Sequence, residues 1–265
     1  MEKLRTVFEN ISGGFVMAGK AHGEMIFSRV SVEEYIRCLD EYKPDILSLS
    51  EVHMENENGC SEMAASISEA LKLPNYRCFA QSRSHLDTSK HLGIAVLSKY
   101  PIIDSDPFLL PNPRLEVKRP DGSNWIMFDK GAQRLMLDVH GRRVQIINLH
   151  YFPFHHFHRQ MNEDEFSGIR QALVDILLSK KNLPTIITGD FNNKGLPLPE
   201  AFPELFEQGR FCEAVTAQTT VVGLQDQFDH ILYTSHALRV VRGFAARNLS
   251  DHYAVIADFS LIISK

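Results

Sequence analysis

Near residue 190 the chain sets a carboxylate and a carboxamide two residues apart at the end of an apolar run, Leu183-Pro184-Thr185-Ile186-Ile187-Thr188-Gly189-Asp190-Phe191-Asn192. Such a run reads as a short strand. Residues at i and i+2 on extended backbone point the same way, so Asp190 and Asn192 share a side while Phe191 packs behind them. Gly189 lets the backbone turn sharply at the strand end. An acceptor-only carboxylate beside an amide that both donates and accepts suits a centre that handles a water and a phosphoryl oxygen together. A strand closing in an Asx-type turn explains the same residues equally well, so the rest of the chain has to decide.

Other polar residues repeat the placement: Asn10, Glu51, His150, Asp229 and the adjacent pair Asp251 and His252 each stand at or just past the end of an apolar run. Taken singly, each has a plain structural explanation as a strand terminus, an edge histidine or a turn cap. Taken together, carboxylates and histidines after buried strands converge on one rim of a sheet, where open α/β folds build their sites.

The elements that must carry them are legible in outline. Residues 3 to 9 read as a first strand ending at Asn10 and the flexible Ser12-Gly13-Gly14. A helix is expected from Val32 to Tyr42, with Ser31 and Glu34 at capping-box spacing, one apolar stripe, and Pro44 as the stop. Residues 45 to 50 form a buried strand that delivers Glu51 at its end. A second amphipathic helix covers residues 61 to 72 and a third runs from about Asn162 to Ser179. Further strands fall at Tyr76 to Ala80, Gly93 to Ser98, Gln133 to Val139, Arg143 to Leu149, Phe228 to Tyr233, Leu238 to Phe244 and Tyr253 to Ile263. His140-Gly141-Arg142 marks a hairpin. Residues 107 to 131, rich in Pro, Asn, Asp and Gly and holding the only tryptophan, Trp125, read as a long loop over one face. The mixture predicts one domain over residues 1-265, with two sheets packed face to face and helices outside.

Bulk properties narrow the class. The 265 residues suffice for one large domain, and 44% hydrophobic with 23% charged residues is ordinary for a soluble globular protein. A net charge of -5 provides no global positive field for a polyanion. Cys38, Cys60, Cys78 and Cys212 lack metal-site spacing and fit reduced thiols. No apolar signal segment opens the chain, so a cytoplasmic location is expected.

The ordered motifs carry a family resemblance. Asn10, then residues 44 to 52 ending in Ser50-Glu51-Val52, resemble the opening of the endonuclease/exonuclease/phosphatase (deoxyribonuclease-I-like) superfamily. Gly93-Ile94-Ala95-Val96-Leu97-Ser98-Lys99-Tyr100-Pro101-Ile102 is similar to its central strand pair. Asn148-Leu149-His150, Gly189-Asp190-Phe191-Asn192, Phe228-Asp229-His230-Ile231-Leu232 and Ser250-Asp251-His252 match the remaining motifs in order, and Arg170-Gln171 also fits. The resemblance implies a four-layer α/β/β/α sandwich with two mostly antiparallel sheets, and divalent-metal-dependent hydrolysis of phosphate esters. There are departures: Ser50 stands where many members have Gln, Ser12 where abasic-site nucleases tend to have Asp, and His150 where those repair nucleases have Tyr. The last favours the histidine-using deoxyribonuclease-like, sphingomyelinase-like and small-phosphodiesterase branches.

On that resemblance, hard oxygen ligands suit Mg2+, with Mn2+ as the alternative. Glu51 is the expected metal ligand, with Asn10 assisting and Asp251 as an additional one. Asp190 orients or deprotonates the water, Asn192 holds it or the phosphate, His252 pairs with Asp229, and His150 stabilises developing charge or assists the leaving group. Either Asp190 or His252 fits the role of general base. The expected substrate is a phosphoester, whether small molecule, lipid head group or nucleic acid, and the expected state is a monomer. The leading function is a phosphodiesterase; a nuclease or phosphomonoesterase using the same site is the alternative. Two features stay open at this level. Residues 151 to 158, Tyr-Phe-Pro-Phe-His-His-Phe-His, form either an aromatic loop packed on the rim or, through His155 or His156, a specificity wall. Lys90, Lys99, Arg114, Lys118, Arg119, Lys130 and Arg134 form either a phosphate-backbone groove, with Arg134 foremost, or a solvated surface.

Overall fold

The computed structural model describes residues 3–21, 24–119, 122–180 and 183–262. Strand β1 (Lys3–Asn10) is followed by a hairpin, β2 (Phe15–Ala21) and β3 (Glu24–Val30), helix α1 (Val32–Tyr42) and strand β4 (Ile46–Met54). Helix α2 (Glu62–Leu71) leads into β5 (Asn75–Arg83), β6 (His91–Ser98) and β7 (Ile102–Leu109), with a small hairpin, β8 (Glu116–Lys118) and β9 (Asn124–Ile126), beyond them. Strands β10 (Gly131–Val139) and β11 (Arg142–His150), helix α3 (Ser167–Leu178), β12 (Thr185–Asp190), β13 (Phe211–Glu213), β14 (Asp229–Thr234), β15 (Leu238–Arg247) and β16 (Tyr253–Leu261) complete the order.

Two six-stranded sheets result, β15-β16-β1-β4-β6-β5 and β13-β14-β12-β11-β10-β7. Each is antiparallel except for one parallel pair at its centre, β1 with β4 and β11 with β12. Their inner faces enclose one apolar core, in which Phe8, Ile46, Val96 and Phe259 of the first sheet meet Leu135, Ile146, Ile186 and Ile231 of the second. Helices α1 and α2 cover the outer face of the first sheet with Tyr35, Leu39, Ile67 and Leu71. Helix α3 covers the second with Ile169, Leu173 and Leu177. The α/β/β/α layering is the expected one, because each sheet has two apolar faces to hide and only one can go against its partner.

A polar tie crosses the core below the rim. Asn148, fully buried on β11, donates through Nδ2 to the carbonyls of Leu49 (2.9 Å) and Ala95 (3.1 Å) on the opposite sheet. Two glycines set strand spacing nearby. A Cβ at Gly189 would lie 2.6 Å from the Leu149 carbonyl oxygen, and one at Gly131 2.1 Å from that of Phe108.

Several boundaries differ from expectation. The strand that carries Glu51 does not end there: β4 continues to Met54, and Glu51 is the extra residue of a bulge between Ser50, opposite Ile94, and Val52, opposite Gly93. The chain before α1 holds the β2–β3 hairpin, whose short, bulged strands lack a clean alternation. The long loop is in part β7 and the β8–β9 hairpin. Ser31 precedes α1 but makes no side-chain cap bond, and the Glu34 carboxylate pairs with Arg29 (2.5 Å); α2 is capped by Ser61, whose Oγ accepts from Ala64 N. The end expected for the last strand, Ile263, lies outside the described residues. Among those residues no helix is long and apolar enough to cross a membrane.

Two stability measurements test this interior. Asn148→Leu removes the side-chain donor shared by two buried carbonyls and is expected to lower unfolding free energy by roughly 1–3 kcal/mol in a urea titration; a change within error would show that the tie adds nothing to stability. Glu9 on β1 is buried, with Oε2 accepting from Asn248 and Oε1 unpartnered. Burial raises its carboxyl from 4.5 to about 8. A raised folded value means the stabilising contribution is complete below about 4.5 and is lost as pH climbs toward 8. Glu9→Gln should therefore flatten the fall in stability between pH 5 and 8, and parallel curves for the two proteins would refute this.

Candidate active site

Strand register brings the expected residues together at one rim. His150 and Asp190 close the parallel pair β11–β12 side by side, and Asp190 stands opposite Asp229 on β14. From the first sheet, β1 delivers Asn10, whose Nδ2 donates to Asp190 Oδ2 at 3.2 Å. His252, immediately before β16, completes the group. Its Nδ1 meets Asp229 Oδ2 at 2.8 Å and its Nε2 lies 3.9 Å from Asp190 Oδ2.

The Asp190–Asn192 segment satisfies both readings of its sequence. Asn192 N donates to Asp190 Oδ1 at 2.9 Å, which is an Asx turn, and both residues also line the cavity. Its Nδ2 is held by the Tyr151 carbonyl at 3.0 Å. Ser12, Glu51 and Asn192, all cavity-lining, adopt left-handed backbone with φ of 44°, 54° and 50°. Such conformations cost about 1–3 kcal/mol each and persist only where the surroundings impose them.

Electrostatics sort the titratable groups. Burial works against a charged His252, but the Asp229 carboxylate, bonded to it, and Asp190 outweigh that and hold it well above the ordinary histidine value. Burial pushes Asp190 up, opposed chiefly by His252. Burial, with the Lys130 ammonium beside it, holds His150 well below the usual range, so its imidazole is neutral. Its Nε2 lies 3.5 Å from Asp190 and 3.9 Å from Glu51.

The cavity encloses about 150 Å3. One side carries Glu51, Lys130, His150, Asp190, Asn192, Asp251 and His252; the other is apolar and aromatic, with Trp125, Phe128 and Phe157 prominent. Oxygen donors suited to a hard cation are present. The nearest basic nitrogens to Glu51, His150 Nε2 and Lys130 Nζ, lie at 3.9 and 4.0 Å, beyond hydrogen-bond length, which leaves its carboxylate open to the cavity. Asp251 Oδ1 accepts from Ser12 Oγ at 2.5 Å, and Asn10 Oδ1 accepts from Ser12 N at 3.1 Å. A second cluster, Asp190, Asp229 and His252, has ligand atoms within 4.8 Å of one another. Within it His252 Nδ1 is bonded to Asp229 while Nε2 faces Asp190, the arrangement of a histidine oriented by one carboxylate toward another.

Some expectations about neighbours shift. His156 lines the cavity against Trp125, with ring centroids 4.9 Å apart, whereas His155 packs on Phe228 and does not. Tyr151, Phe152 and Phe154 are core. Several of the basic residues are spent on other partners: Arg134 is bound to Asp106 (2.7 Å) and Ser179, Lys90 to Glu55, Lys99 to Asp45 and Arg114 to Asp129, while Arg119 stacks over the cavity-lining Trp125. Arg170 pairs with Glu204 on the outer face of the second sheet. Lys130 is the basic residue that reaches the cavity, and only its place just before the strand paired with the His150 strand hinted at that. Phe27, on the unforeseen hairpin, also lines it.

Comparison with solved structures agrees with this geometry. The chain resembles an endonuclease/exonuclease/phosphatase from Beutenbergia cavernae at 17% identity and TM-score 0.71, over 98% of this chain and 72% of that one. It is also similar to the human Nocturnin catalytic domain with bound sulfate (17%, 0.62, 98% and 95%). A third is ANGEL2, a 2',3'-cyclic phosphatase, in complex with adenosine-2',3'-vanadate (15%, 0.59, 97% and 95%). At these identities the likeness speaks for the fold. Curated protein sequences gave no match. The model of the Endonuclease/Exonuclease/phosphatase family, whose members hydrolyse phosphoester bonds and generally use a divalent metal, matches residues 29–252, and the chain therefore belongs to that family.

Proposed function

We propose that the protein is a divalent-metal-dependent phosphodiesterase acting on a small or lipid-like phosphoester. The observation that carries this is the clamp of His252 between Asp229 and Asp190 in the same cavity as the open carboxylate of Glu51. The apolar and aromatic side of the cavity and the acidic total charge support a compact substrate over a polynucleotide.

In this reading Glu51, Asn10 and Asp251 hold Mg2+ or Mn2+. Bound there, the cation supplies charge neutralisation at a phosphoryl oxygen. Asp190, positioned by Asn10 and the Asn192 amide, accepts a proton from the attacking water as its oxygen bonds to phosphorus and the ester P–O bond breaks, the departing oxygen leaving as an alkoxide that takes a proton from solvent to become the alcohol. Asn192 orients that water. His252, kept cationic by Asp229, donates a hydrogen bond to the phosphoryl group. His150, being neutral, stabilises developing charge as a hydrogen-bonding partner rather than as a protonated acid.

Hydrolysis of a chromogenic diester, set beside plasmid and oligonucleotide cleavage at low salt with Mg2+ or Mn2+, tests the class; cleavage confined to nucleic acid would reverse it. His252→Ala and Asp190→Ala should each lower turnover by about 10²- to 10⁴-fold in protein that still folds cooperatively, and near-wild-type rates in either would sink the assignment. His156→Ala is expected to alter the ratio of kcat/KM between aryl and alkyl diesters several-fold while leaving metal activation as it was; the opposite pattern would remove His156 from the substrate wall.

A further inference from the structure

Lys130 has the geometry of a ligand-binding group. It is 8% exposed and ends in the cavity, the only lysine or arginine among the described lining residues, facing Glu51, Asp190 and Asp251. An ammonium has three N–H donors and no acceptor. Here Nζ lies 3.1 Å from His150 Nδ1 and 3.0 Å from Nε2, so it sits across the ring and not along one lone pair. Glu51 Oε1 is at 4.0 Å, too far for a hydrogen bond. One donor at most is committed to the imidazole, and Nζ has no other hydrogen-bond partner among the described residues. The position is built in: Gly131 pairs with His150 in the antiparallel ladder and admits no side chain, which puts the preceding Lys130 at the rim beside that histidine.

Resting on the phosphoester reading above, we propose that Lys130 binds substrate directly, donating to a non-bridging phosphoryl oxygen held between Glu51 and Asp190. A desolvated ammonium makes a strong charge-assisted bond to such an oxygen. It would also offset part of the carboxylate field that otherwise repels an anionic substrate. The competing role is an internal counter-charge for Glu51, displaced when metal arrives.

Calorimetric titration of inorganic phosphate in Mg2+ buffer, alongside Mn2+ titration and steady-state kinetics, separates the two for wild type, Lys130→Met and Lys130→Arg. Direct binding predicts that Lys130→Met weakens phosphate affinity about tenfold or more and lowers kcat/KM, with Mn2+ affinity unchanged and Lys130→Arg recovering much of the phosphate affinity. Phosphate affinity retained in Lys130→Met, or Mn2+ bound more tightly with turnover preserved, overturns the assignment to Lys130 alone. Should Lys130→Met fail to fold, Lys130→Gln decides, because it keeps a side-chain donor of similar length without the charge: phosphate affinity equal to wild type would exclude a charge-assisted bond from Nζ, and a loss of about tenfold would support it. Wild-type protein that neither binds phosphate nor cleaves any diester overturns the phosphoester reading itself.

Discussion

Two buried carboxylates, Asp190 and Asp229, stand directly opposite each other across β12 and β14. Like charges in that position repel, and burial removes the water that would screen them. The fold answers by inserting His252 between them, bonded to Asp229 and within 4 Å of Asp190. The histidine comes from the other sheet, so the charge balance of one sheet is completed by the other. Much of the rim is arranged around that group: Asn10 and the Asn192 amide hold Asp190, Ser12 holds Asp251, and Lys130 and His150 occupy the space toward Glu51.

Precision at this rim rests on backbone conformations that side chains ordinarily avoid. The Glu51 bulge is the clearest. An unbulged β4 would alternate Glu51 to the face opposite its neighbours, whereas the extra residue with φ of 54° turns the carboxylate into the cavity. Gly93, paired with Val52 just beyond, makes room: a Cβ there would lie 2.0 Å from the Phe79 carbonyl oxygen. Gly189 and Gly131 play the same part for the strands ending in Asp190 and beginning beside His150. The glycines bring backbones close so that polar side chains from neighbouring strands can meet.

How much of this could be read from sequence depended on range. Runs such as Ile46-Leu47-Ser48-Leu49 and Thr185-Ile186-Ile187-Thr188 announce buried strands, and a polar residue at the end of a buried strand emerges at a rim. That rule placed Asn10, His150, Asp190, Asp229 and His252 at a common rim; the His252–Asp229 pairing was expected only from the family resemblance. It misplaced the end of β4, because a bulge is set by the partner strand and leaves no periodic trace. It missed the β2–β3 hairpin, whose bulges break alternation. Basic residues resisted prediction for a different reason. Arg134 and Lys130 are four apart and look equivalent on paper, yet Arg134 is consumed by Asp106 and Ser179 while Lys130 turns inward. Which cation is spent on a surface partner is decided by segments far off in the chain.

The buried amide of Asn148 has a wider meaning than its two hydrogen bonds. Apolar packing fixes two faces by shape alone, with no directional bond to name one partner over another. A fixed donor aimed at two particular carbonyls turns such a greasy contact into an indexed joint. Because the reactive rim draws Asn10 and Glu51 from one side of that joint and His150 and Asp190 from the other, a shear of a single ångström would dismantle the centre while leaving every strand intact. The asparagine thus acts as an alignment pin, and the working tolerance of the chemistry is inherited from an interaction that touches neither metal nor substrate.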